Sequence, residues 1–311
     1  VAISQGTQVT DRLRWTLVAA PPTPIRPDGS LDLDVCAGYF RHLVQTGAGG
    51  LAISVPNSRL QPLPAQVTAE LVQRAVATNV PVVVYVGHRS RHGQAWMEMV
   101  AAAGAEALVV FPPDGDHIDA VTHHDVCWKT SGLPLIVCDP AEHPYPLDVL
   151  NQVLDHPGVV GYTPARLSDA IACQAGIAAA RARGRLVLSG EDRMLGPSLM
   201  WGAEGALLGL GAAAAQVPAA VVAAFAAAVH MPARDAAARF LEVAAIADEL
   251  ARVIVRPPFD GSAQRLLWIA AHEGAIPAEF AVDPHRPSSL DDAERDEIMR
   301  VARQCRDQVR Q

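Results

Sequence analysis

The sequence predicts a (β/α)8 barrel of the TIM type followed by a C-terminal appendage of three helices. Three observations lead there. Short apolar runs alternate with segments of helical spacing, and eight such strand–helix pairs can be counted. Residues 80–86 are a nearly continuous apolar run with β-branched residues, which is the pattern of parallel strands buried on both faces. Beyond Arg234 the strand pattern stops and only helical spacing remains. A chain of 311 residues, 50% of them apolar, is long enough for one large barrel. A doubly wound open sheet is the alternative, but the count of eight and the regular spacing favour closure.

Residues 1–14 are polar and read as an N-terminal arm, 15–231 as the barrel, and 232–311 as the appendage packed on it. Residues 16–20 form a short strand, followed by a proline-rich loop with an Asp28-Gly29 turn. Helical spacing at 31–45 leads to a strand at 50–55. A helix at 66–78 precedes the strand at 80–86, and a helix at 94–103 the strand at 107–111. Then come a helix at 117–130, a strand at 133–138 and a helix at 147–156 that stops at Pro157-Gly158. The sixth strand, 159–162, feeds a helix over 166–183, with Thr163 as N-cap and Pro164 at the first helical position. Strands at 185–189 and 205–209, with helices at 194–201 and 217–229, complete the barrel. Three more helices are expected at 236–255, 261–273 and 289–310, the last opening on Ser289-Leu290-Asp291-Asp292 as an approximate capping box.

Composition narrows the function. A net charge of -8 argues against general nucleic-acid binding and against an anionic membrane surface. No apolar run reaches the ~18 residues of a membrane span, and nothing at the N-terminus reads as a signal peptide. The cysteines (Cys36, Cys127, Cys138, Cys173, Cys305) are odd in number and scattered, which suits reduced thiols in a cytoplasm. Lys129 is the only lysine, so one side-chain amine is available for covalent chemistry.

Barrel active sites lie where strands end and helices begin. The third strand is followed by His88, Arg89, Arg91 and His92, a basic group suited to a carboxylate or phosphate; the plainer alternative is a solvated loop with Ser90 as a cap. Asp139, Glu142 and His143 follow the fifth strand, and Asp114 and His117 the fourth. These could serve as acids and bases, but their irregular spacing makes no metal-ligand set, and neither metal nor cofactor is expected. Cys138 stands at a strand end as either a nucleophile or a small buried thiol. Tyr162 points oppositely to Thr163 and should pack between sheet and helices. Glu191-Asp192 read as scaffold, capping or salt-bridging a turn. His123-His124 read as surface, and Lys129 as a solvated helix-end cation.

Several phrases together resemble the dihydrodipicolinate synthase and N-acetylneuraminate lyase family. They are Thr23-Pro24 with Asp28-Gly29-Ser30-Leu31-Asp32, then Pro157-Gly158-Val159-Val160-Gly161, then Ser189-Gly190-Glu191-Asp192 with Gly202-Ala203-Glu204-Gly205. The likeness runs over nearly the whole chain. It implies a barrel with a helical appendage, assembly as a homodimer or homotetramer, and class I aldolase or dehydratase chemistry on pyruvate-like keto acids.

The family's catalytic phrases fall on other residues here. Its Schiff-base lysine, in a G-x-K phrase ending the sixth strand, falls on Thr163. Its carboxylate-cradling G-T-T-G-E phrase falls on Val55-Pro56-Asn57-Ser58-Arg59, its Y-N-x-P tyrosine on Cys138, its substrate-binding arginine near His143, and its aromatic pair on Pro113-Asp114. A hydroxyl cannot make the iminium that serves such aldolases as an electron sink. The expected ligand is a small carboxylate or oxo acid. The candidates to bind it are Asn57, Ser58, Arg59, His88, Arg89, Arg91 and Ser189, and those for chemistry are Thr163, Cys138, Asp139 and His143. Two classes of function follow: an enzyme of altered, lysine-independent mechanism, or a catalytically silent homologue that binds a ligand or partners an active subunit.

Overall fold

The computed structural model describes residues 2–55, 63–86, 93–113, 119–166, 169–283 and 290–310. Strands and helices alternate: β1 (Leu17–Ala19), α2 (Leu33–Gln45), β2 (Gly50–Ile53), α3 (Ala65–Val76), β3 (Val82–Val86), α4 (Gln94–Ala102), β4 (Ala107–Val110) and α5 (Ala120–Ser131). They continue with β5 (Leu135–Pro140), α6 (Leu147–Leu154), β6 (Val159–Ala165), α7 (Ala170–Arg181), β7 (Leu186–Val187), α8 (Leu195–Trp201), β8 (Ala206–Leu208) and α9 (Gln216–His230). Before β1 stands α1 (Ala2–Leu13). The strands form one parallel sheet in the order β7-β6-β5-β4-β3-β2-β1-β8. Its two ends meet through a parallel bridge between Ser189 and Ala206, where Ser189 N–H donates to Gly205 O (2.9 Å) and Leu207 N–H to Ser189 O (2.8 Å). The sheet is therefore a closed eight-stranded barrel, as the alternation in the sequence predicts.

Period-two alternation sorts the strand residues into two cores. Val18, Ala52, Val83, Val109, Ile136, Leu186 and Leu207 point inward and fill the barrel. Leu17, Leu51, Val84, Leu108, Val137, Tyr162 and Leu208 point outward and pack under the helices.

Residues 2–13, expected as a polar arm, instead form α1. Its Val9 and Leu13 join the inner core at 3% and 0% exposure. Leu13 lies against Gly50 and Gly205 at the strand starts, and Gly6 against Val160, so α1 closes the N-terminal end of the barrel. Its polar residues are the exposed face of an amphipathic helix, which is why the segment reads as an arm.

The appendage is built from α10 (Arg234–Ile254), α11 (Ser262–His272) and α12 (Asp292–Val309). Its buried centre is Arg265, fully enclosed, which donates to Glu294 (2.8 Å) and to the carbonyls of Ile254 (3.0 Å), Arg256 (2.8 Å) and Pro258 (3.1 Å). One side chain thereby satisfies the loop after α10 and ties it to α12. The cap of α12 is Asp291, accepting from Glu294 N–H at 2.8 Å; Ser289 lies outside the described residues.

Two local expectations are corrected. The Thr163-Pro164 pair does not open a helix: β6 runs on to Ala165, paired with β5 through Asp139–Pro164 and Pro140–Ala165, and Asp169 caps α7. Pro164 is tolerated because the ladder uses its carbonyl, which accepts Gly190 N–H at 3.1 Å. His124 is not a surface residue; it is fully buried, with Nδ1 2.8 Å from Ala120 O. Among the described residues no helix is long and apolar enough to cross a membrane.

Two outcomes are expected. Leu13→Ala should cost about 2–5 kcal/mol in urea unfolding, and a loss below about 0.5 would show that α1 does not plug the barrel. Burial first, then the neighbouring imidazoles, hold His124 down at about 3 from an ordinary 6.5. The unfolded chain therefore takes up a proton that the folded chain refuses. The stabilisation from a neutral His124 is full above about pH 6.5 and lost as pH falls towards 3, at up to ~1.4 kcal/mol per unit. His124→Leu should flatten the urea midpoint between pH 6.5 and 4 relative to the parent; an unchanged slope would refute this.

Candidate active site

The C-terminal ends of the strands carry the polar groups. β5 and β6 are paired in register at Ile136–Gly161, Val137–Tyr162, Cys138–Thr163 and Asp139–Pro164. Paired residues share a face, so Cys138, which belongs to the inner core, places Thr163 on the inside as well. Tyr162 and Asp139 point out, towards the helices. The inner wall of the mouth therefore carries Tyr85, Phe111, Cys138 and Thr163, with the two rings 5.5 Å apart.

Thr163 is 1% exposed, and its Oγ1 has no hydrogen-bond partner among the described residues. The end of β7 presses on it: a Cβ added to Gly190 would stand 2.5 Å from Thr163 Oγ1 and 2.5 Å from Pro164 O. Only glycine permits that approach. Cys138 is buried, and its thiol is pushed well above its ordinary value by burial and then by Asp139 and Glu191. Of the two readings of this position, nucleophile or small buried thiol, its burial in the inner core supports the second.

Asp139 is likewise not presented to the mouth. It is fully buried and saturated: it accepts from Arg166 Nε and Nη2 (2.8 Å each), Tyr145 N–H (3.0 Å) and Tyr162 OH (3.0 Å). Arg166 Nη2 also donates to Tyr145 O at 2.6 Å. Burial, then the Asp139 carboxylate, raise the Tyr162 phenol well above its ordinary value, so it stays a donor. A bidentate carboxylate–guanidinium pair with every lone pair used joins β5, β6 and the segment before α6. Tyr162 packs against α7 at Gly176, as its outward orientation predicts.

His143 is exposed in the loop after β5. Ser189 is buried and shares a face with Ala206, which packs in the outer core, so its hydroxyl turns away from the barrel interior. Asn57, Ser58, Arg59, His88, Arg89 and Arg91, with His92, Asp114 and His117, lie outside the described residues. Lys129 sits at the C-terminal end of α5, with its side chain 68% exposed and paired to Asp125 at 2.7 Å. Among the described residues no group of three His, Cys, Asp or Glu is arranged to hold a metal ion.

Glu191 is the group that sequence reasoning passed over. Expected to cap or salt-bridge a turn, it makes no cap hydrogen bond, and among the described residues no ion pair reaches it. It is 7% exposed, and burial, then Asp192 and Glu142, push its carboxyl up to about 8. Asp192 beside it is raised to about 6 by burial, against the hydrogen bond from Leu210 N–H at 2.8 Å. Two adjacent acids at a strand end were the available signal.

Asp139→Ala should leave Arg166 without its counter-ion and cost about 3–5 kcal/mol in urea unfolding. A loss below about 1 kcal/mol would contradict a structural role for the pair.

No family model matches the chain. It is 28% identical over 205 residues to the 4-hydroxy-tetrahydrodipicolinate synthase of Mycolicibacterium gilvum, covering 61% of this chain and 65% of that one. It is 29% identical over 123 residues to a probable 5-dehydro-4-deoxyglucarate dehydratase of Streptomyces coelicolor, covering 38% and 39%. The chain thus spans about 65% of the length of the curated synthase it matches. In structure it superposes on N-acetylneuraminate lyase of Fusobacterium nucleatum, complexed with pyruvate, with a TM-score of 0.78 at 14% identity, covering 96% of this chain and 98% of that one. In sequence, and in fold over its whole length, the chain resembles the dihydrodipicolinate synthase and N-acetylneuraminate lyase family.

Proposed function

We propose that this chain is a divergent relative of those enzymes that lacks the Schiff-base lysine, with Thr163 in its place. In this reading it binds a small oxo or hydroxy acid at the barrel mouth and acts on it by lysine-independent lyase or hydratase chemistry. The observation that carries the reading is the inward-facing hydroxyl of Thr163 at the end of β6. An alcohol adds to a ketone only as far as a hemiketal, which offers no iminium to absorb electrons. The one lysine is held by Asp125 on an outer helix. The similarity to a dehydratase as well as to a synthase supports a reaction in which water is added or removed. The acid's carboxylate would be met by Arg89 or Arg91, with Asn57, Ser58, Arg59 and His88 as further candidates, in the sequence segments that follow β2 and β3.

A second reading has its own support. The side chains at the end of β5 are committed elsewhere: Asp139 to Arg166, and Cys138 to the core as a neutral thiol. A silent homologue that binds the acid, or pairs with an active subunit, needs neither. A conventional pyruvate aldolase is the reading least supported. We further propose that the chain assembles as a homodimer or homotetramer in the cytoplasm, where its five free, buried cysteines would stay reduced.

A thermal-shift screen over oxo, hydroxy and sugar acids and phosphates tests this. At least one small acid should raise Tm, and Arg89→Ala or Arg91→Ala should abolish that rise. If no acid moves Tm, the ligand assignment fails. A hit consumed in a proton NMR time course supports the enzyme; a hit bound and left intact supports the silent subunit.

A further inference from the structure

We propose that Tyr85, backed by Phe111, is the floor of the ligand site and sets its depth, so that a bound acid lies over the two rings and does not touch Thr163. The floor follows from the packing; only what rests on it depends on the acid-binding reading above. Tyr85 on β3 and Phe111 just past β4 both belong to the inner core, with ring centroids 5.5 Å apart and planes tilted by 35°. Exposure along the inner wall falls from 8% at Tyr85 and 7% at Phe111 to 2% at Cys138 and 1% at Thr163. The rings are the most exposed members of that core, and the two smaller side chains lie beneath them. The interior of an eight-stranded barrel is only wide enough for side chains to fill, so two aromatic rings suffice to close it.

Tyr85 also reaches across the lumen. In the strand order β3 stands four places from β7, which is the opposite wall of an eight-stranded barrel. Burial, then the Cys138 thiol on β5 and the Asp192 carboxyl just beyond β7, raise the Tyr85 phenol well above its ordinary value. A phenol within reach of both groups has crossed from its own wall towards the other. Around the rings stand Ala20, Val55 and Ala165, which pack with the same inner core at or just past the ends of β1, β2 and β6. None of these five residues is charged. A carboxylate set against them would lose its hydration without a counter-ion, so the ligand turns hydrocarbon to the floor and its charge out of the barrel. The class implied is a short-chain oxo or hydroxy acid whose length is limited by Tyr85. The Thr163 hydroxyl, without a hydrogen-bond partner among the described residues, is then a covered core group and not a ligand contact.

Two measurements on the full chain test this. Labelling with methyl methanethiosulfonate, read by peptide mapping, needs no ligand. Cys138 should be protected in the parent and in Tyr85→Phe, which keeps the ring, and should react at least about tenfold faster in Tyr85→Ala. Cys36, Cys127, Cys173 and Cys305 are buried elsewhere and should stay protected in all three chains, which shows that each is folded. If they react in Tyr85→Ala, Tyr85→Val, better suited to a strand, takes its place. Rapid labelling of Cys138 in the parent, or unchanged protection in the folded truncation, overturns the floor. Calorimetry with 2-oxobutanoate and 2-oxooctanoate then tests what lies on it. Tyr85→Ala should bind 2-oxooctanoate about tenfold more tightly than the parent does, the effect of roughly two newly buried methylenes, while Tyr85→Phe matches the parent. Thr163→Val should leave the affinity for either acid within about twofold. No gain in Tyr85→Ala, or a loss of about tenfold in Thr163→Val, overturns the proposal. If neither acid binds any of these chains, the acid-binding reading is what fails, and the labelling alone decides the floor.

Discussion

The register between β5 and β6 governs what this barrel can do. In a parallel pair the side chains alternate with a period of two, and a shift of one residue would turn every group to the other face. As paired, Cys138 and Thr163 look into the barrel while Asp139 and Tyr162 look out. The same register that puts an alcohol at the mouth puts the acid of β5 beneath the helices. Neither assignment can change alone.

That division separates two kinds of buried polarity. On the outside, Asp139, Arg166, Tyr162 and the backbone of Tyr145 satisfy one another completely, and the low dielectric there strengthens each bond. Such a network stabilises only because it is complete; removing one member strands a charge. On the mouth side, Thr163 Oγ1 is buried with no hydrogen-bond partner among the described residues. Gly190 links the two halves, because its missing side chain lets the β7 turn close against both Thr163 and Pro164.

The architecture was legible because its signals are repeated. Apolar runs such as Val82–Val86 mark buried parallel strands, and eight apolar runs alternating with helices leave little choice of topology. Single-residue signals fared less well. Thr163-Pro164 has the local grammar of a helix start, yet pairing with β5 outweighs it, since a tertiary ladder supplies more than one cap. Asp139 read as a mouth residue because the strand was ended two positions too early; its outward face follows once β5 is carried to Pro140. Arg166 was placed in a helix, so its role as counter-ion had no sequence signal. The polar face of α1 hid an apolar stripe that includes Val9 and Leu13. Glu191 was visible as an acid but not as a buried one, because burial is a property of the closed barrel and not of the strand.

The central claim is that no amine of this polypeptide serves the barrel mouth. Intact-mass analysis after incubation with pyruvate and borohydride tests it directly, because a Schiff base, once reduced, is a permanent mass increase that peptide mapping can locate. The account predicts an unmodified chain under conditions that label a lysine-dependent aldolase to completion. A saturable adduct on Lys129 or on the N-terminal amine would contradict it.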